Sequence, residues 1–274
     1  MLTKVEVRTK QGNLLSLQLD DISDGIIVEE IEGLDPVNAT LVSSDFAGLD
    51  GAQYQSGRRE TRNIKIKLSL DPVDPGVTPV RSLRNRLYNF FMPKTEIDLR
   101  FIMIDGLAVD IHGVVDDFKS PMFAQNPEVD VSITCFDPDF VDPTPVLVTG
   151  MFTSDGSPRL VTYDGTVDTG IKLVLNVNRT LTEFTVYHTP PNDDIRTMQF
   201  VAPLVAGDVL TISTVTGDKG ATLTRGGVTT SILYAISPQS IWTELVHGVN
   251  ALRVYAEGTG IPLTIQYTER YGGL

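Results

Sequence analysis

Apolar and polar residues alternate along much of the first half of the chain, and this alternation predicts β-strands. Residues 63–70 (NIKIKLSL) are the clearest case, with isoleucines and leucines on one face and lysines or other polar residues opposite. That period of two is typical of a half-buried strand. The Asp105-Gly106 pair predicts a hairpin turn between two further strands. The strands predicted in this half are 5–7, 15–19, 26–31, 39–42, 63–70, 96–104, 107–115 and 129–135.

One helix interrupts the strands, in residues 78–91. Thr78 suits the capping position and Pro79 the first helical position, while Pro93 ends the pattern. The apolar positions recur at helical spacing: Val80, Leu83, Leu87, Phe90 and Phe91. The arginines of this segment fall largely on other faces. We interpret them as solvated, with pairing to acidic residues of another subunit as the alternative.

Residues 43–60 (SSDFAGLDGAQYQSGRRE) show no clear period and are interpreted as a long, glycine-rich loop. Loops longer than about 12–15 residues are usually functional or mobile. Phe46 and Tyr54 lie in this segment. Aromatic residues in such a place predict a surface that another molecule covers.

The Val-Asp-Pro-Thr-Pro run that ends at residue 145 is interpreted as a hinge between two domains, 1–141 and 146–274. Beyond it the chain is rich in Thr, Val and Gly, and Arg225-Gly-Gly predicts a tight turn. The strands predicted here are 173–177, 184–188, 197–201, 209–213, 221–224, 228–233, 252–255 and 263–267. No pattern of helical length appears, so we expect a β-sandwich.

Composition and charge exclude several classes of function. Hydrophobic residues make up 41% and charged residues 21% of the 274 residues, as in a globular protein. The net charge is −13, and residues 1–145 hold 14 Lys and Arg against 24 Asp and Glu. Proteins that bind duplex DNA need a basic surface to displace counterions, so specific DNA binding is not expected. We identify no signal peptide and no run of about 18 apolar residues that would span a membrane.

Cys135 is the only cysteine, which excludes an intramolecular disulfide and a cysteine-rich zinc site. It continues the apolar face of strand 129–135, so we interpret it as a core residue rather than a nucleophile. The three histidines lack the spacing of a helical zinc site, and no phosphate-binding loop or G-x-S-x-G motif occurs. The adjacent Asp pairs at 116–117 and 193–194 would point to opposite faces of a strand, while carboxylate pairs from separate elements are left open by the sequence. We predict a protein that is not an enzyme and holds no cofactor or metal.

Several stretches, taken in order, resemble the distal tail protein (Dit) family of siphophages, whose tails are flexible and non-contractile. In the first half they are Ile31-Glu-Gly-Leu34, Gly48-Leu-Asp-Gly51, the strand 62–70, Leu87-Tyr-Asn-Phe-Phe-Met-Pro93 and residues 131–140 (VSITCFDPDF). In this family a strand that ends in cysteine or a similar small residue, followed by aromatic-Asp-Pro, commonly closes the N-terminal domain. In the second half, residues 204–212, Gly226-Gly227 and 245–254 resemble the galectin-like C-terminal domain of such proteins.

The resemblance covers nearly the whole chain and implies a mostly β fold. An N-terminal β-sandwich-like belt domain with one α-helix would precede a C-terminal galectin-like β-sandwich. The implied function is structural: a homohexameric ring at the tail tip that joins the tail tube to the baseplate hub and leaves a channel for DNA ejection. The implied partners are the tail-tube protein, the hub or tail-associated protein, receptor-binding proteins and the tape measure protein. DNA would pass through the lumen without specific binding, no membrane is involved, and assembly would take place in the host cytoplasm.

Other functions stay open at this point. A carbohydrate-binding adsorption protein of the tail tip would act through residues 146–274. There Trp242 and His247-Gly-Val-Asn250 suggest a sugar-binding edge or, as we favour, a turn that packs an interior tryptophan. A tail-tip glycosidase or peptidase would need a convergent polar site, which the sequence does not show. A tail-tube or tail-terminator protein would also form rings, but the large second β domain argues against the terminator.

Ring closure requires a head-to-tail interface on every subunit. Segment 43–60 and the basic residues at its end supply the interface candidates, namely Phe46, Tyr54, Arg58, Arg59 and Arg62. We expect deletion of residues 49–56 to weaken the hexamer.

Overall fold

The chain divides into two compact units. A computed structural model describes residues 1–21, 23–48, 50–72, 79–121, 127–152, 158–191, 194–258 and 260–274. The first unit comprises Met1–Pro143 together with Gly272–Leu274, and the second comprises Thr144–Tyr271. The sequence gives no sign that the chain returns to its first unit after completing the second.

The first unit is built on one antiparallel sheet. Its elements are β1 (Leu2–Thr9), β2 (Leu14–Gln18), β3 (Ile26–Glu32), β4 (Ala39–Asp45), β5 (Ala52–Arg59), β6 (Arg62–Leu70), α1 (Val80–Phe91), β7 (Glu96–Met103), β8 (Ala108–Lys119), β9 (Glu128–Cys135) and β10 (Phe140–Val141). Seven strands follow the order β2-β1-β7-β8-β9-β6-β3, and β10 pairs with β8. The predicted strands are therefore confirmed, and most of those in the sheet bury alternate residues on one side of it, as in β6, β7 and β9.

The predicted helix covers the apolar side of this sheet. Four of its residues, Leu83, Leu87, Phe90 and Phe91, are buried. The helix contacts both β1 and β6, which three other strands separate, so it spans the middle of the sheet. The helix begins at Val80 rather than at Pro79, because Pro79 has an extended backbone with ψ of 152°. Thr78, the expected cap, lies outside the described residues.

The prediction of a loop over residues 43–60 was wrong. β4 and β5 instead form a separate two-stranded hairpin, paired from Ala39↔Arg59 to Asp45↔Ala52. Both faces of the hairpin are exposed, so no alternation of apolar and polar residues is needed. A register shift between Val42 and Ser43 disturbs the period further.

The second unit is a β-sandwich. Its strands are β11 (Val146–Phe152), β12 (Arg159–Tyr163), β13 (Thr169–Gly170), β14 (Lys172–Asn176), β15 (Leu181–Thr189), β16 (Arg196–Leu204), β17 (Val209–Ser213), β18 (Gly220–Arg225), β19 (Val228–Ser231), β20 (Glu244–Leu245), β21 (Gly248–Ala256), β22 (Ile261–Tyr267) and β23 (Arg270–Tyr271). A six-stranded sheet (β11-β22-β14-β17-β18-β19) and a four-stranded sheet (β12-β21-β15-β16) share one core. The predicted strand 228–233 ends earlier, at Ser231, and a short 3-10 turn follows at Leu233–Ala235. The mostly β fold class with one α-helix is thus confirmed.

A buried histidine lies in this sandwich core. His188 is fully buried on β15, and its Nε2 lies 2.9 Å from Asn250 Oδ1. The same oxygen accepts the Val246 amide, so Nε2 carries the proton and donates. Nδ1 has no hydrogen-bond partner among the described residues. Burial lowers the pKa of His188 below its ordinary value, so the folded chain holds the neutral ring.

We expect acid to destabilise the second unit through His188. The unfolded chain takes up the proton near pH 6.5, about the ordinary value, whereas the folded chain resists it to lower pH. The stability that the neutral ring contributes is therefore lost as pH falls below that value. His188→Gln should show a smaller difference in melting temperature between about pH 7.5 and about pH 5.5. An unchanged difference in a thermal scan would contradict this account.

Candidate subunit interface

The β4–β5 hairpin exposes apolar side chains that a soluble monomer would be expected to cover. Among its described strand residues none is buried, and Leu41, Val42 and Tyr54 are 66%, 51% and 64% exposed. Phe46, just beyond β4, is 49% exposed. An isolated two-stranded hairpin is marginally stable in water. We therefore identify this hairpin as the candidate site for contact with another molecule.

Gly57 shapes one face of the hairpin. A Cβ atom added at Gly57 would lie 3.0 Å from Leu41 Cδ2 and 3.0 Å from Tyr54 Oη. Leu41 and Tyr54 therefore extend over the glycine and form one continuous exposed surface. Leu41, Val42 and Gly57 are not among the interface residues predicted from the sequence. The adjacent Leu41-Val42 pair could have indicated an exposed apolar residue, since neighbouring residues of a strand cannot both face the same core.

The base of the hairpin is fastened to the rest of the first unit. Arg59 makes a two-pronged ion pair with Asp139, whose side chain is buried, and the Nη2–Oδ2 distance is 2.9 Å. Below it, the Thr40 hydroxyl donates to Glu60 Oε1 at 2.7 Å, and the Glu60 amide donates to the Asn38 carbonyl at 2.9 Å. Paired arginine–carboxylate geometry of this kind fixes orientation. The base is thus held while the strands project.

Arg62, the first residue of β6, connects the segments that meet at the base of the hairpin. Its side chain is fully buried and donates to four carbonyl oxygens: Pro138 at 2.7 Å, Gly33 at 2.5 Å, Asp35 at 2.7 Å and Gly272 at 2.7 Å. The guanidinium also lies 4.4 Å from the centre of the Phe140 ring. Desolvation lowers the pKa of Arg62 from its ordinary value. All of these contacts of the Arg62 guanidinium are therefore made within its own subunit.

The five interface candidates consequently separate into two groups. Phe46, Tyr54 and Arg58 are exposed on the hairpin, as an interface role requires. Arg59 is engaged with Asp139 at the base. Arg62 was placed wrongly as an interface residue, because its buried guanidinium cannot reach a neighbouring subunit. Leu49, which begins the deletion considered above, lies outside the described residues.

Cys135 ends β9 with no exposed surface. It packs closely on β8, since a Cβ added at Gly113 would lie 2.9 Å from the Cys135 Sγ atom. Burial raises the pKa of the Cys135 thiol to about 12. A nucleophilic cysteine would have a lowered pKa and access to solvent, and Cys135 has neither.

We expect the Cys135 thiol to resist modification in the folded protein. At pH 8 a thiol with a pKa of about 12 is ionised in only about one molecule in ten thousand. A disulfide reagent such as Ellman's should therefore react negligibly in buffer and fully in guanidinium chloride. Rapid labelling under native conditions would show that the strand end opens or that the thiol is activated.

The polar groups considered for chemistry do not converge in the part of the chain that the structure describes. The three histidines have separate partners: His112 Nδ1 is 2.8 Å from Asp98, His188 contacts Asn250, and His247 Nδ1 is 3.3 Å from the Gly165 carbonyl. Asp193 lies outside the described residues. Within those residues no group of three or more His, Cys, Asp or Glu side chains could hold a metal ion. Their helices include none long and apolar enough to cross a membrane.

The fold and the projecting hairpin together define a class: a two-unit, mostly β protein with an element suited to assembly. Residues 164–271 match the family model of the siphovirus-type tail component, C-terminal domain. The crystal structure of Dit (gp 19.1) from phage SPP1 has a TM-score of 0.67 and 17% sequence identity, covering 97% of this chain and 98% of that chain. That protein is described as a paradigm of the hub adsorption apparatus in phages that infect Gram-positive bacteria.

Two phage p2 baseplate structures, both in the activated conformation, also match. The one with Ca has a TM-score of 0.47 and 10% identity over all of both chains. The one with Sr has a TM-score of 0.46 and 10% identity over 99% of each chain. A search of curated proteins found no match. The second unit thus matches the siphovirus-type tail component, C-terminal domain, over residues 164–271, and the fold of the whole chain is similar to that of SPP1 Dit.

Proposed function

We propose that this protein forms a homohexameric ring at the tail tip, between the tail tube and the baseplate hub, with a channel for DNA ejection. The observation that carries the proposal is the β4–β5 hairpin, which exposes Leu41, Val42, Phe46 and Tyr54 and buries none of its strand residues. If each subunit lays its hairpin on the next, every subunit gives one hairpin and receives one. Such a head-to-tail contact closes into a ring when the rotation per subunit permits.

The charges of the first unit suit a channel through which DNA slides. On its sheet surface, Lys65 pairs with Glu32 at 2.9 Å and Lys67 with Glu128 at 3.1 Å, and Lys119 contacts Asp117. Lysines that are already paired offer less attraction to phosphate groups, and the surplus of carboxylates repels them. A surface of this composition would therefore bind DNA only weakly.

The proposed role is that of a connector without catalysis or cofactor. The tail-tube protein would contact one side of the ring and the hub, or tail-associated protein, the other. Receptor-binding proteins and the tape measure protein are further proposed partners, and the protein would be assembled into tails in the host cytoplasm. The Dit-like fold supports these assignments.

The alternative, a carbohydrate-binding adsorption protein, is less well supported. Sugar binding on a β-sandwich usually needs exposed aromatic faces. In the second unit, Trp242 is partly buried and packs against the core, and the Arg253 guanidinium lies 4.8 Å from the centre of the Tyr187 ring. Two other tyrosines of the second unit are exposed, Tyr234 in the 3-10 turn at Leu233–Ala235 and Tyr255 on β21, and they lie on separate elements rather than along one strand.

The position in the virion can be tested with gold-labelled antibodies on intact phage particles. We expect label only at the distal tip of the tail. Label along the whole tail would indicate a tail-tube protein, and label at the head-proximal end would indicate a tail terminator. Either result would contradict the proposal. Binding of purified protein to host cell walls, measured in parallel, would test the carbohydrate-binding alternative.

A further inference from the structure

Residues Gly272–Leu274 follow the whole second unit in sequence, yet they belong to the fold of the first unit. The Gly272 carbonyl accepts a hydrogen bond from Arg62 Nη2 at 2.7 Å. The Leu274 amide donates to the Leu34 carbonyl at 3.0 Å. The tripeptide is therefore part of the internal hydrogen bonding of the first unit.

Gly273 packs so closely that its lack of a side chain matters. An added Cβ would lie 2.7 Å from Pro36 Cδ and 2.9 Å from the Pro36 nitrogen. Neither atom is the end of a flexible chain, so a larger residue would force the backbone of one segment away from the other. The tripeptide and residues 34–36 thus fit together as one packed contact.

Arg62 joins this contact to the base of the hairpin. It binds the carbonyls of Gly33 and Asp35 before the hairpin, of Pro138 beside the Arg59–Asp139 ion pair, and of Gly272. Without Gly272, one N–H of a buried guanidinium faces no acceptor, which is costly in a buried position. The hairpin base therefore depends on residues that the ribosome makes after the second unit.

We propose that Gly272–Leu274 is a strap that completes the first unit only after the second unit has been synthesised. Domains generally fold in order as they emerge, and the first unit departs from that order because its last segment comes late. A chain that stops within the second unit would keep a loosened hairpin base. The device couples a competent hairpin to synthesis of the whole second unit, and it acts on folding whether or not the ring exists.

The strap is tested in the full chain by hydrogen exchange with mass spectrometry. Gly273→Ala should displace it, and the matched control is Gly220→Ala, where an added Cβ meets nothing within 4 Å. We expect exchange on the order of tenfold faster than native in peptides covering 31–36 and 134–139 of the Gly273 variant. Peptides covering 209–224 should exchange as in the native chain, and the control should leave both regions unchanged.

A milder variant keeps the test decisive if Gly273→Ala does not fold. Leu274→Pro removes the amide that donates to Leu34, together with the leucine side chain, but adds no Cβ at Gly273, and it should speed exchange in the same two regions by a few-fold. Native exchange rates at 31–36 in a folded strap variant would overturn the proposal. Equal acceleration in both units would also overturn it, because the strap would then have no specific place in the first.

Discussion

Arg62→Ala should lower the free energy of unfolding of the first unit by about 3–5 kcal/mol, among the largest effects expected of any single substitution. The change removes a buried guanidinium and leaves four carbonyl oxygens without their donor. Water can reach only part of the vacated space, because the side chain is fully buried. Arg62→Lys should recover little, since one ammonium cannot serve four acceptors spread around a planar guanidinium.

Urea denaturation separates this effect from a general loss of stability. The only tryptophan, Trp242, lies in the second unit, so its fluorescence reports that unit while circular dichroism reports both. We expect the circular dichroism of the variant to show an earlier first transition and the fluorescence transition to stay in place. Arg81→Ala, at an exposed position of α1, is the matched control and should change stability by less than about 0.5 kcal/mol. Equal stability of the Arg62 and Arg81 variants would show that Arg62 does not organise the hairpin base.

The second large effect concerns assembly. Leu41→Ser combined with Tyr54→Ser should weaken self-association by at least about a hundredfold, because two exposed apolar anchors over Gly57 are removed. Both side chains are more than 60% exposed in the isolated chain, so the fold of the subunit should be unaffected. Sedimentation velocity over a range of concentrations would measure the change.

The control for assembly is Leu160→Ser. Leu160 is 65% exposed on β12 of the second unit and lies outside the hairpin. We expect this variant to associate like the native protein. If the double hairpin variant also associates like the native protein, the hairpin is not the subunit interface, and another surface must close the ring.

The parts of the fold that the sequence predicts are those in which one side of an element is buried. The strand at residues 63–70 was identified because Ile64, Ile66, Leu68 and Leu70 all face the core. The helix was identified in the same way. The β4–β5 hairpin was not predicted, because both of its faces are exposed to water and its residues therefore need no alternation of apolar and polar side chains.

The candidate site was predicted only in part, for a related reason. Phe46 and Tyr54 could be identified as aromatic residues outside any core pattern. Arg62 was interpreted as an exposed basic residue. Its four acceptors are backbone carbonyls at positions 33, 35, 138 and 272, and because every residue has a carbonyl, the sequence does not show which of them accept a hydrogen bond. The packing of Gly272–Leu274 on the first unit cannot be predicted from the sequence either, since it depends on contacts between residues more than two hundred positions apart.

The mass of the purified protein in solution, measured by light scattering and followed by particle images, tests the central claim most directly. The account predicts a particle about six times the 30.0 kDa of one chain, with a central hole. A mass of one chain at every concentration, alone and after mixing with isolated tail tubes, would contradict the proposal that this protein builds a ring.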